Sequence, residues 1–563
     1  MNRYRWQIQP PIPSDHPLRR TAFAPVIRQL LYNRGITDPG EAELFLNPCS
    51  RLCGDPMLMP DMPEAVARIY RGLMTGEKMA VYGDFDVDGI TATALLVKGI
   101  SALGGLVEPY IPHRLQEGHG LNSSALNELK AKGISLVITA DCGVTGVEQV
   151  RKIGRSGVDV IISDHHLPGD VLPAAAAVVN PHRVDSRYPY TELAGVGVAY
   201  KLLSALYRSM GREAEAEQYL YLVALGTVAD MVPLLTENRF LVVQGLAALK
   251  ACRHPGVREL ALQAGVNLEK ISTENISWAL APRLNASGRL EHAISSYRLL
   301  ITESEVEARQ LAAGLGEQNR ERQRLTSAAY VLAREQVVSR GIGSILVASH
   351  TDFPGGILGL VAGKLTEEFN LPSVVIQLGE ENCHASCRSI PEFNINQALG
   401  QCAEHLGHFG GHAQAAGFGL PTGNLPAVLE KLNAIATAEL ASLDLRPKLE
   451  IDARVRLSDL NLAGYRLLQQ MAPFGQDNPA PLFLSCGVKV VETRPMGSEG
   501  RHLRLKVRQG SITRDAVAFD VGARSEDMDV PLDIVYNFEM DEWNGDSRLR
   551  LNIRDFTGSG TEL

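Results

Sequence analysis

The segment KMAVYGDFDVDG, residues 78–89, joins a short apolar run to three aspartates that are spaced two residues apart. Alternate residues of an extended chain point to the same side, so the carboxylates of Asp84, Asp86 and Asp88 are expected to converge at the end of a strand. Carboxylates crowded in this way repel one another unless cations share the site. The segment therefore predicts a strand that ends at a metal site.

Short apolar runs alternate with helical segments between residues 65 and 235, which is typical of a parallel sheet covered by helices on both faces. The predicted strands are Met79–Tyr82, Val107–Ile111, Leu136–Thr139, Val158–Ile162 and Ala177–Val179. Asp141 follows the third strand, and an Asp-His-His triplet, residues 164–166, follows the fourth. Open α/β sheets form their sites at the carboxyl ends of strands, so these groups and the aspartate trio are expected to meet in one crevice. A further candidate, Asp230, follows a helical apolar run.

Length and composition indicate a globular chain of several domains. The chain has 563 residues, which predicts three or four domains, and 45% of them are apolar and 21% charged. The formal net charge of −9 argues against a protein coated with basic residues, so a polyanion would be bound by local patches. No apolar run resembles a signal peptide or a membrane span, which predicts a cytoplasmic protein without membrane association. The eight cysteines include no CxxC pair and predict no disulfide framework.

The other segments predict further parts of the molecule. Residues 1–64 are rich in proline and are interpreted as an N-terminal attachment to the domain that follows, residues 65–235. Helical periodicity over residues 236–342 predicts a connector with one long exposed helix. Residues 343–445 repeat the α/β pattern, and residues 446–563 are strand-rich, as in a small β-barrel or sandwich.

The residue types favour a pair of hard divalent cations. Carboxylate oxygens suit Mg²⁺ and Mn²⁺, and imidazole shifts the preference towards Mn²⁺ or a transition metal. Two cations about 3.5–4 Å apart that share a carboxylate can activate water and stabilise the oxygens of a phosphoryl displacement. One assignment uses every group and has Asp141 as the bridge among the ligands Asp86, Asp88, Asp141, His165 and Asp230. An EF-hand calcium loop is the alternative, but Leu95 stands where such a loop needs glutamate.

Four short motifs resemble those of the DHH phosphoesterase superfamily: GDFDVDG at 83–89, TADCG at 139–143, the triplet at 164–166 and VADMVPL at 228–234. The segments LAGVGVAYKL, APRLNASGRL, ASCRSI and FGGHAQAAGF also resemble the RecJ-type single-strand-specific exonucleases of that superfamily. The resemblance implies two α/β domains, of DHH and DHHA1-like type, that are joined by a long helix and have a cleft between them. It also implies a C-terminal β-barrel of OB type.

The resemblance implies an enzyme of recombination and repair that removes 5′-mononucleotides from single-stranded DNA in the 5′→3′ direction, with Mn²⁺ or Mg²⁺. The metal ligands that it implies are the five residues of the assignment above. His166 is expected to contact the scissile phosphate, and Asp164 is expected to orient a histidine from behind the ligands. Asp84 is assigned a supporting role, because the metal pair of the superfamily is the last two aspartates of the trio.

A second set of residues is expected to hold the end of the DNA strand. Gly410 and Gly411 offer unobstructed backbone N–H groups and His412 an imidazole, as in a phosphate cradle, although a tight turn explains the same residues. In the resembling family these motifs line the cleft, where a bound 5′-phosphate would set polarity. The other expected contacts are Arg114, Arg283, Asn285, Arg289, Ser386 and Arg388. A solvated loop arginine is the alternative for Arg114.

The segment HLRLKVR, residues 502–508, alternates basic and apolar side chains. This pattern predicts a strand whose basic face holds single-stranded nucleic acid, or a solvated barrel face without a ligand. Phe353-Pro354 replaces the Trp-His pair that opens a helix of the second domain in the family, so a contact from that histidine is missing. The expected partners are single-stranded DNA, a helicase and a single-strand-binding protein, and a monomer is expected.

Two alternative functions remain open from the sequence. A phosphodiesterase of short oligoribonucleotides or cyclic dinucleotides shares the motifs, although such enzymes usually lack the C-terminal barrel. A catalytically silent DNA-binding scaffold is the second alternative, although decay of the activity would be expected to erode the metal ligands, which are intact.

Overall fold

The computed structural model describes residues 4–114, 116–497, 501–521, 528, 530–543 and 546–560. Contacts divide the chain into two units. The larger comprises Gly54–Val232 and Gln244–Leu445, and the smaller comprises Met1–Cys53, Pro233–Val243 and Arg446–Leu563. None of the helices in the described ranges has both the length and the apolar character that a membrane crossing requires.

The strands of the described residues are β1 (Arg5–Ile8), β2 (Lys78–Gly83), β3 (Leu106–Tyr110), β4 (Leu136–Ala140), β5 (Asp159–Ser163), β6 (Ala177–Val179), β7 (Leu346–His350), β8 (Ser373–Gln377), β9 (Asn382–Arg388), β10 (His408–His412), β11 (Ala415–Pro421), β12 (Lys448–Ile451), β13 (Ala453–Arg454), β14 (Leu482–Met496), β15 (His502–Gln509), β16 (Ile512–Ala518), β17 (Leu532–Trp543) and β18 (Asp546–Gly558).

The α-helices are α1 (Pro25–Asn33), α2 (Pro39–Leu46), α3 (Met62–Thr75), α4 (Val87–Ala102), α5 (Ser123–Ala131), α6 (Val147–Gly154), α7 (Gly195–Ser209), α8 (Leu220–Asp230), α9 (Thr236–Lys250), α10 (Pro255–Ala264), α11 (Thr273–Asn275), α12 (Ala281–Leu290), α13 (Ile294–Ile301), α14 (Glu305–Arg340), α15 (Leu358–Phe369), α16 (Ile395–Gln401), α17 (Leu425–Leu440) and α18 (Leu462–Leu468). A π-helical turn, Ile276–Leu280, lies between α11 and α12.

The first sheet of the larger unit is parallel throughout, in the order β3-β2-β4-β5-β6. Its strands match the five predicted ones to within one residue at each end. Helix α4 is buried along almost its whole length and packs against α7 and α8. Each large side chain that it buries, such as Leu95 or Ile100, contributes roughly 1.5–3 kcal/mol. Burial of these side chains therefore stabilises α4, the helix that begins within the aspartate trio.

The second sheet of the larger unit has the order β10-β11-β9-β8-β7 and is mixed, since β7 and β8 are parallel and the remaining pairs are antiparallel. Apolar clusters lie on both of its faces, one with α17 and the other with α14 and α15. The predicted second α/β domain is confirmed. Phe353, which stands where the resemblance implies a tryptophan, is buried in the cluster beneath α15 and so fills a core position.

Helix α14 is the predicted long helix, but it is less exposed than the sequence suggests. Ser304 caps its first turn with a hydrogen bond to the N–H of Glu307. The sequence predicts an exposed helix, whereas Asn319, in the polar run QNRERQR of residues 318–324, is buried and accepts hydrogen bonds from the guanidinium of Arg322. Polar side chains at helical spacing can form hydrogen bonds with one another within a packed surface, and a hydropathy pattern does not reveal such bonds.

The smaller unit contains a closed barrel of five strands, in the order β14-β15-β16-β18-β17, which closes because β14 also pairs with β17. In β15, Leu503, Leu505 and Val507 are buried and the basic residues between them are exposed, as predicted. The predicted OB-type barrel is therefore confirmed.

The N-terminal segment belongs to the smaller unit, which corrects the interpretation that it is attached to the domain that follows it. Strand β1 pairs in parallel with β12, and the Trp6 indole Nε1 donates to Asp555 Oδ2 at 2.9 Å. Ile27, Leu30 and Leu31 of α1 share one apolar cluster with the barrel. The sequence could not show this pairing, because an amphipathic helix reveals that it needs an apolar partner without revealing which one.

Candidate active site

The three aspartates after β2 occupy different local positions. Asp84 is buried directly after the strand. Asp86 is the N-cap of α4, where its Oδ1 accepts the N–H of Gly89 at 3.1 Å. Asp88 lies in the first turn and is almost fully buried. A methyl group at Gly89 would lie 2.6 Å from the backbone of Asp84, so glycine allows the turn to close over the strand end.

Asp88 is held by the N-terminus of a second helix. Its Oδ2 accepts the N–H of Gly195 at 2.6 Å, and its Oδ1 accepts the N–H of Val196 at 2.8 Å. The unpaired N–H groups and the dipole of a helix N-terminus both favour a carboxylate there. The sequence reasoning missed these donors, although the glycine-rich LAGVGV segment that supplies them was a visible signal.

Asp141 occupies the centre of the cluster. It follows β4 in a left-handed conformation with φ of 65°, and its N–H donates to the carbonyl of Ser163. Its Oδ1 lies 3.1 Å from Nε2 of His165. The same Nε2 lies 3.7 Å from Oδ2 of Asp230, the last residue of α8, and 4.0 Å from Oδ2 of Asp88. His165 therefore lies beside three of the other predicted metal ligands, and the fourth, Asp86, is grouped with Asp141.

Asp164 orients His166 and lies behind the cluster. Its Oδ1 lies 2.8 Å from Nδ1 of His166 and accepts the backbone N–H groups of His165 and His166, while its Oδ2 accepts the N–H of Val144. Burial opposes ionisation of Asp164, but the hydrogen bonds from His166 and the backbone outweigh it and lower its pKa. The bond to Asp164 raises the pKa of His166 to about 9. The hydrogen bond with Asp164 therefore favours the charged form of His166.

Asp86, Asp88 and Asp141 resist joint ionisation. Burial, together with Asp84 and Asp230, raises the pKa of Asp86 to about 6. Burial and the neighbouring carboxylates also raise the pKa of Asp88 and of Asp141 well above the usual range. Burial lowers the pKa of His165 and favours its neutral form, which is the form that binds metal.

The donor atoms fit divalent cations. Within the described residues, Oδ1 of Asp84, Oδ1 of Asp141, Nε2 of His165 and Oδ2 of Asp230 are buried and have no hydrogen-bond partner. Buried polar atoms are rarely left in this state, and a cation satisfies such a set. Three groups have donor atoms within 4.8 Å of one another: Asp88 with His165 and Asp230, Asp84 with Asp86 and Asp141, and Asp141 with His165 and His166. Asp141 and His165 each belong to two of these groups, and of the two only the Asp141 carboxylate has two oxygens with which it could bridge a pair of cations.

A cluster of arginines adjoins the carboxylates. The guanidinium of Arg114 lies 4.8 Å from the centroid of the Phe85 ring, and burial lowers its pKa although the charges of Asp84 and Asp86 oppose this shift. Burial, followed by the charges of Arg114, Arg322 and Arg388, lowers the pKa of Arg289 to about 9. Several guanidiniums held this close together form a site for an anion. Arg322 of α14 was missed by the sequence reasoning, because its segment was interpreted as exposed.

The second sheet supplies a smooth surface beside the arginines. Its register aligns Ser386 with Gly417 and Gly410 in one row, and Arg388 with Ala415 and His412 in the next. The middle strand therefore contributes only small residues between the polar ones. Helix α15 borders the side chains of Ser386 and Arg388: a methyl group at Gly359 of α15 would lie 2.9 Å from the Arg388 guanidinium and 3.0 Å from the Ser386 hydroxyl. We call the surface formed by Ser386, Gly417, Gly410, Arg388, Ala415 and His412 the β11 strip.

Three predicted contacts lie apart from this arrangement. Gly411 alternates to the other side of β10, with φ of 144° and Ala415 and Ala416 where a side chain would be. Arg283 is near Arg320 at the far end of α12, and Asn285 lies between Arg283 and Arg289 on that helix. His119 was not predicted, yet its ring is 4.2 Å from that of Phe85 and its Nδ1 is 3.0 Å from Oδ2 of Asp84.

Comparisons with known proteins agree with this architecture. The chain matches the family models of the DHH family, N-terminal domain, over residues 78–227, the DHHA1 domain over residues 343–438 and the RecJ OB domain over residues 451–555. It is 35% identical to the single-stranded-DNA-specific exonuclease RecJ of Bacillus subtilis, over 100% of this chain and 72% of that protein. The chain belongs to the RecJ family. The RecJ exonuclease of Escherichia coli is 32% identical, over 94% of this chain and 95% of its own length.

Solved RecJ structures share the fold and carry divalent cations. RecJ of Thermus thermophilus in complex with Mn²⁺ superposes with a TM-score of 0.86 and 28% identity, over 99% of this chain and 80% of that one. The complex of the same protein with Mg²⁺ gives a TM-score of 0.79 and 27% identity, over 100% and 79%. These likenesses confirm the predicted combination of two α/β domains and an OB barrel, and they agree with the predicted Mn²⁺ or Mg²⁺ cofactors.

Proposed function

We propose that this member of the RecJ family is a single-stranded-DNA-specific exonuclease that releases 5′-mononucleotides in the 5′→3′ direction. The observation that carries the proposal is the position of a buried carboxylate cluster beside a cluster of arginines. An anionic strand end can be held by the arginines while its next phosphodiester faces the carboxylates. The relatives with full-length similarity are named as exonucleases of single-stranded DNA, which supports the substrate.

The proposed centre holds two divalent cations, Mn²⁺ or Mg²⁺, with Asp86, Asp88, Asp141, His165 and Asp230 as ligands and Asp141 as the bridge. When bound, such cations activate water and stabilise the charged oxygens of phosphodiester hydrolysis. His166 donates from its free ring nitrogen to a non-bridging oxygen of the scissile phosphate, while Asp164 keeps the ring in position. Asp84 supports the site through His119 and through its proximity to Asp86.

Polarity follows from the arginines and the β11 strip. We assign the terminal 5′-phosphate to Arg114, Arg289, Arg388 and Ser386, with Gly410 and His412 along the same surface. A strand end bound there presents the bond between its first two nucleotides to the centre, so each hydrolysis releases one mononucleotide. Arginine suits this role because its planar fork matches phosphate oxygens.

Digestion of single strands that carry a label at either the 5′ or the 3′ end tests the function, polarity and cofactor together. The expected result is early release of the 5′ label as a mononucleotide in the presence of Mn²⁺, and little release when Mn²⁺ is withheld. Asp141→Ala is expected to lose at least a hundredfold in rate. Near-normal activity of this variant would contradict the bridging role, and early release of the 3′ label would contradict the polarity.

The wider setting of the activity is also a proposal. A single-strand exonuclease acting on duplex DNA needs a reaction that separates the strands, so we propose that a helicase and a single-strand-binding protein supply its substrate in recombination and repair. A monomer suffices, because one chain contributes both the carboxylates and the arginines. Such a role places the protein with the chromosome in the cytoplasm. Co-purification with a helicase and measurement of the mass in solution would test these points.

A further inference from the structure

An exposed tryptophan stands on the π-helical turn that precedes α12. Trp278 is 80% exposed, although indole is a large apolar group that usually finds a partner. Solitary exposed hydrophobic residues are common, but π-helical turns are rare and occur frequently at functional sites. The combination indicates a surface that receives a ligand.

Trp278 lies on the same helical face as residues that lead to the active site. Positions 278, 282, 285 and 289 are spaced by four, three and four residues, which places Trp278, Pro282, Asn285 and Arg289 along one face. Arg289 belongs to the arginine cluster, and a methyl group at Gly288 would lie 2.9 Å from the carbonyl of Phe85 in the aspartate loop. At about 1.5 Å per residue, Trp278 lies roughly 16 Å from Arg289 along the helix.

Two cations flank this face and form no ion pair among the described residues. Arg283 donates from Nη1 to the carbonyl of Ala279 at 2.7 Å, and its buried Nε has no partner among the described residues. Burial and the charge of Arg320 lower the pKa of Arg283. Arg320 is exposed on α14, and the described residues show no ion pair for either guanidinium. Two like charges held together in this way favour a phosphate backbone over a protein partner of ordinary composition.

We propose that Trp278 stacks on a base of the substrate strand to the 3′ side of the scissile bond, and that Arg283 and Arg320 bind the adjacent phosphates. This inference rests on the proposed function, since it takes the 5′ end to be held by the arginine cluster. Sixteen ångströms correspond to roughly five nucleotides of a stacked strand. Every base has a flat face that can stack on indole, so the contact favours single strands over duplexes without selecting a sequence.

The test is the length dependence of KM for 5′-phosphorylated oligothymidylates of 2 to 12 nucleotides. In the wild type, KM is expected to fall as the strand becomes long enough to reach Trp278. In Trp278→Ala this fall is expected to stop at short lengths, so KM for the 12-mer rises about fivefold or more, in line with the loss of one base–aromatic stack. Trp278→Phe keeps an aromatic face and is expected to retain most of the length effect.

A matched control separates stacking from the loss of any exposed apolar residue. Leu262 is 71% exposed in the same unit, and Leu262→Ala is expected to keep the wild-type length profile. A second readout needs no catalysis: without divalent cations, the 12-mer should quench the part of the fluorescence that is missing in Trp278→Phe. A wild-type length profile in Trp278→Ala, or no quenching of that part, would overturn the inference alone. A wild type that releases no mononucleotide would overturn the proposed function and the inference with it.

Discussion

In the absence of cations, the buried carboxylates of the acidic cluster destabilise the folded protein. Burial and mutual repulsion raise the pKa of Asp88 and Asp141, so part of the folding free energy is spent on holding them together. A cation that binds only the folded state restores stability by an amount that grows with the logarithm of its concentration, about 2.7 kcal/mol at a hundred times its dissociation constant. Stability and function therefore oppose each other at these residues.

Replacement of Asp141 by asparagine tests this opposition. Asp141→Asn removes one negative charge at nearly constant volume, so we expect it to raise the melting temperature of the metal-free protein by a few degrees. The same variant should lose most of the rise in melting temperature that Mn²⁺ gives the wild type. Thermal unfolding with chelator and with excess Mn²⁺ measures both effects. Exposed Asp185→Asn is the control, and an equal gain in that variant would contradict the argument.

His254 gives a separate prediction about pH. Its ring stacks on that of Tyr221 at 6.0 Å, and burial, followed by the charge of Lys98, lowers its pKa to about 4. The folded protein therefore binds this proton more weakly than the unfolded chain does, whose histidine titrates near 6.5. The stability that the folded protein gains from keeping His254 neutral is complete above pH 6.5 and is lost as the pH falls towards 4.

We expect His254→Asn to lose less stability than the wild type between pH 7 and pH 5, with a difference in slope of up to about 1.4 kcal/mol per pH unit. Denaturant unfolding of the larger unit at several pH values measures this slope, and each protein at pH 8 serves as its own reference. Parallel pH profiles for the two proteins would show that the imidazole is not held in its neutral form.

At the scale of elements, β10 and the β11 strip form a surface that depends on missing side chains. A methyl group at Gly410 would meet no atom within 4 Å, and its φ is not in the left-handed region. Valine also suits a strand. The position therefore tolerates a side chain structurally, and its openness serves the proposed strand end.

Gly410→Val is expected to fold with an unchanged or slightly higher melting temperature and to raise KM for a 5′-phosphorylated strand about tenfold or more, because the side chain would occupy the space of the terminal nucleotide. Gly423→Val is a suitable control, since Gly423 is equally open but lies in the turn after β11. Steady-state kinetics beside thermal unfolding decide the matter. An unaltered KM in Gly410→Val would remove the strip from the substrate site.

Sequence patterns predicted the strands of the larger unit better than they predicted contacts between residues that are far apart in the chain. The strands that precede Asp84, Asp141 and Asp164 were placed to within one residue, because apolar runs and the carboxyl-end rule act locally. The pairing of β1 with β12 could not be predicted, since nothing local specifies a partner so far along the chain. The donors from Gly195 to Asp88 and from His119 to Asp84 were missed for the same reason.

At the scale of the whole molecule, a chain of net charge −9 must attract a polyanion through local surfaces. Strand β15 presents Arg504, Lys506 and Arg508 on the exposed face of the barrel. Lys506 forms an ion pair with Glu492 at 2.7 Å, so the charge of Lys506 is less available to bind phosphate. Arg504 and Arg508 have no ion pair among the described residues and are the stronger candidates for strand contacts.

The double variant Arg504→Ala with Arg508→Ala is expected to weaken binding of long single strands to the same extent whatever their sequence. It should also reduce the slope of log affinity against log salt by about 1.4, since each phosphate contact to a single strand contributes about 0.7. Binding titrations at several salt concentrations measure the slope. The control is Arg324→Ala, whose guanidinium is paired with Glu321 and lies on α14. An unchanged slope in the double variant would identify the face as solvated only.

The bond from Trp6 to Asp555 joins residues that are 549 positions apart. At about 5–20 residues per second, a ribosome needs roughly 30–110 s to make the intervening chain. Until residues 448–451 have been made, β1 lacks its partner strand β12, and the barrel residues that share an apolar cluster with α1 are also absent, whereas the parallel sheet of the larger unit is complete once about a third of the chain has been made. The segment is therefore a natural binding site for chaperones during synthesis, and a nascent chain stalled before residue 446 would present it continuously to proteases.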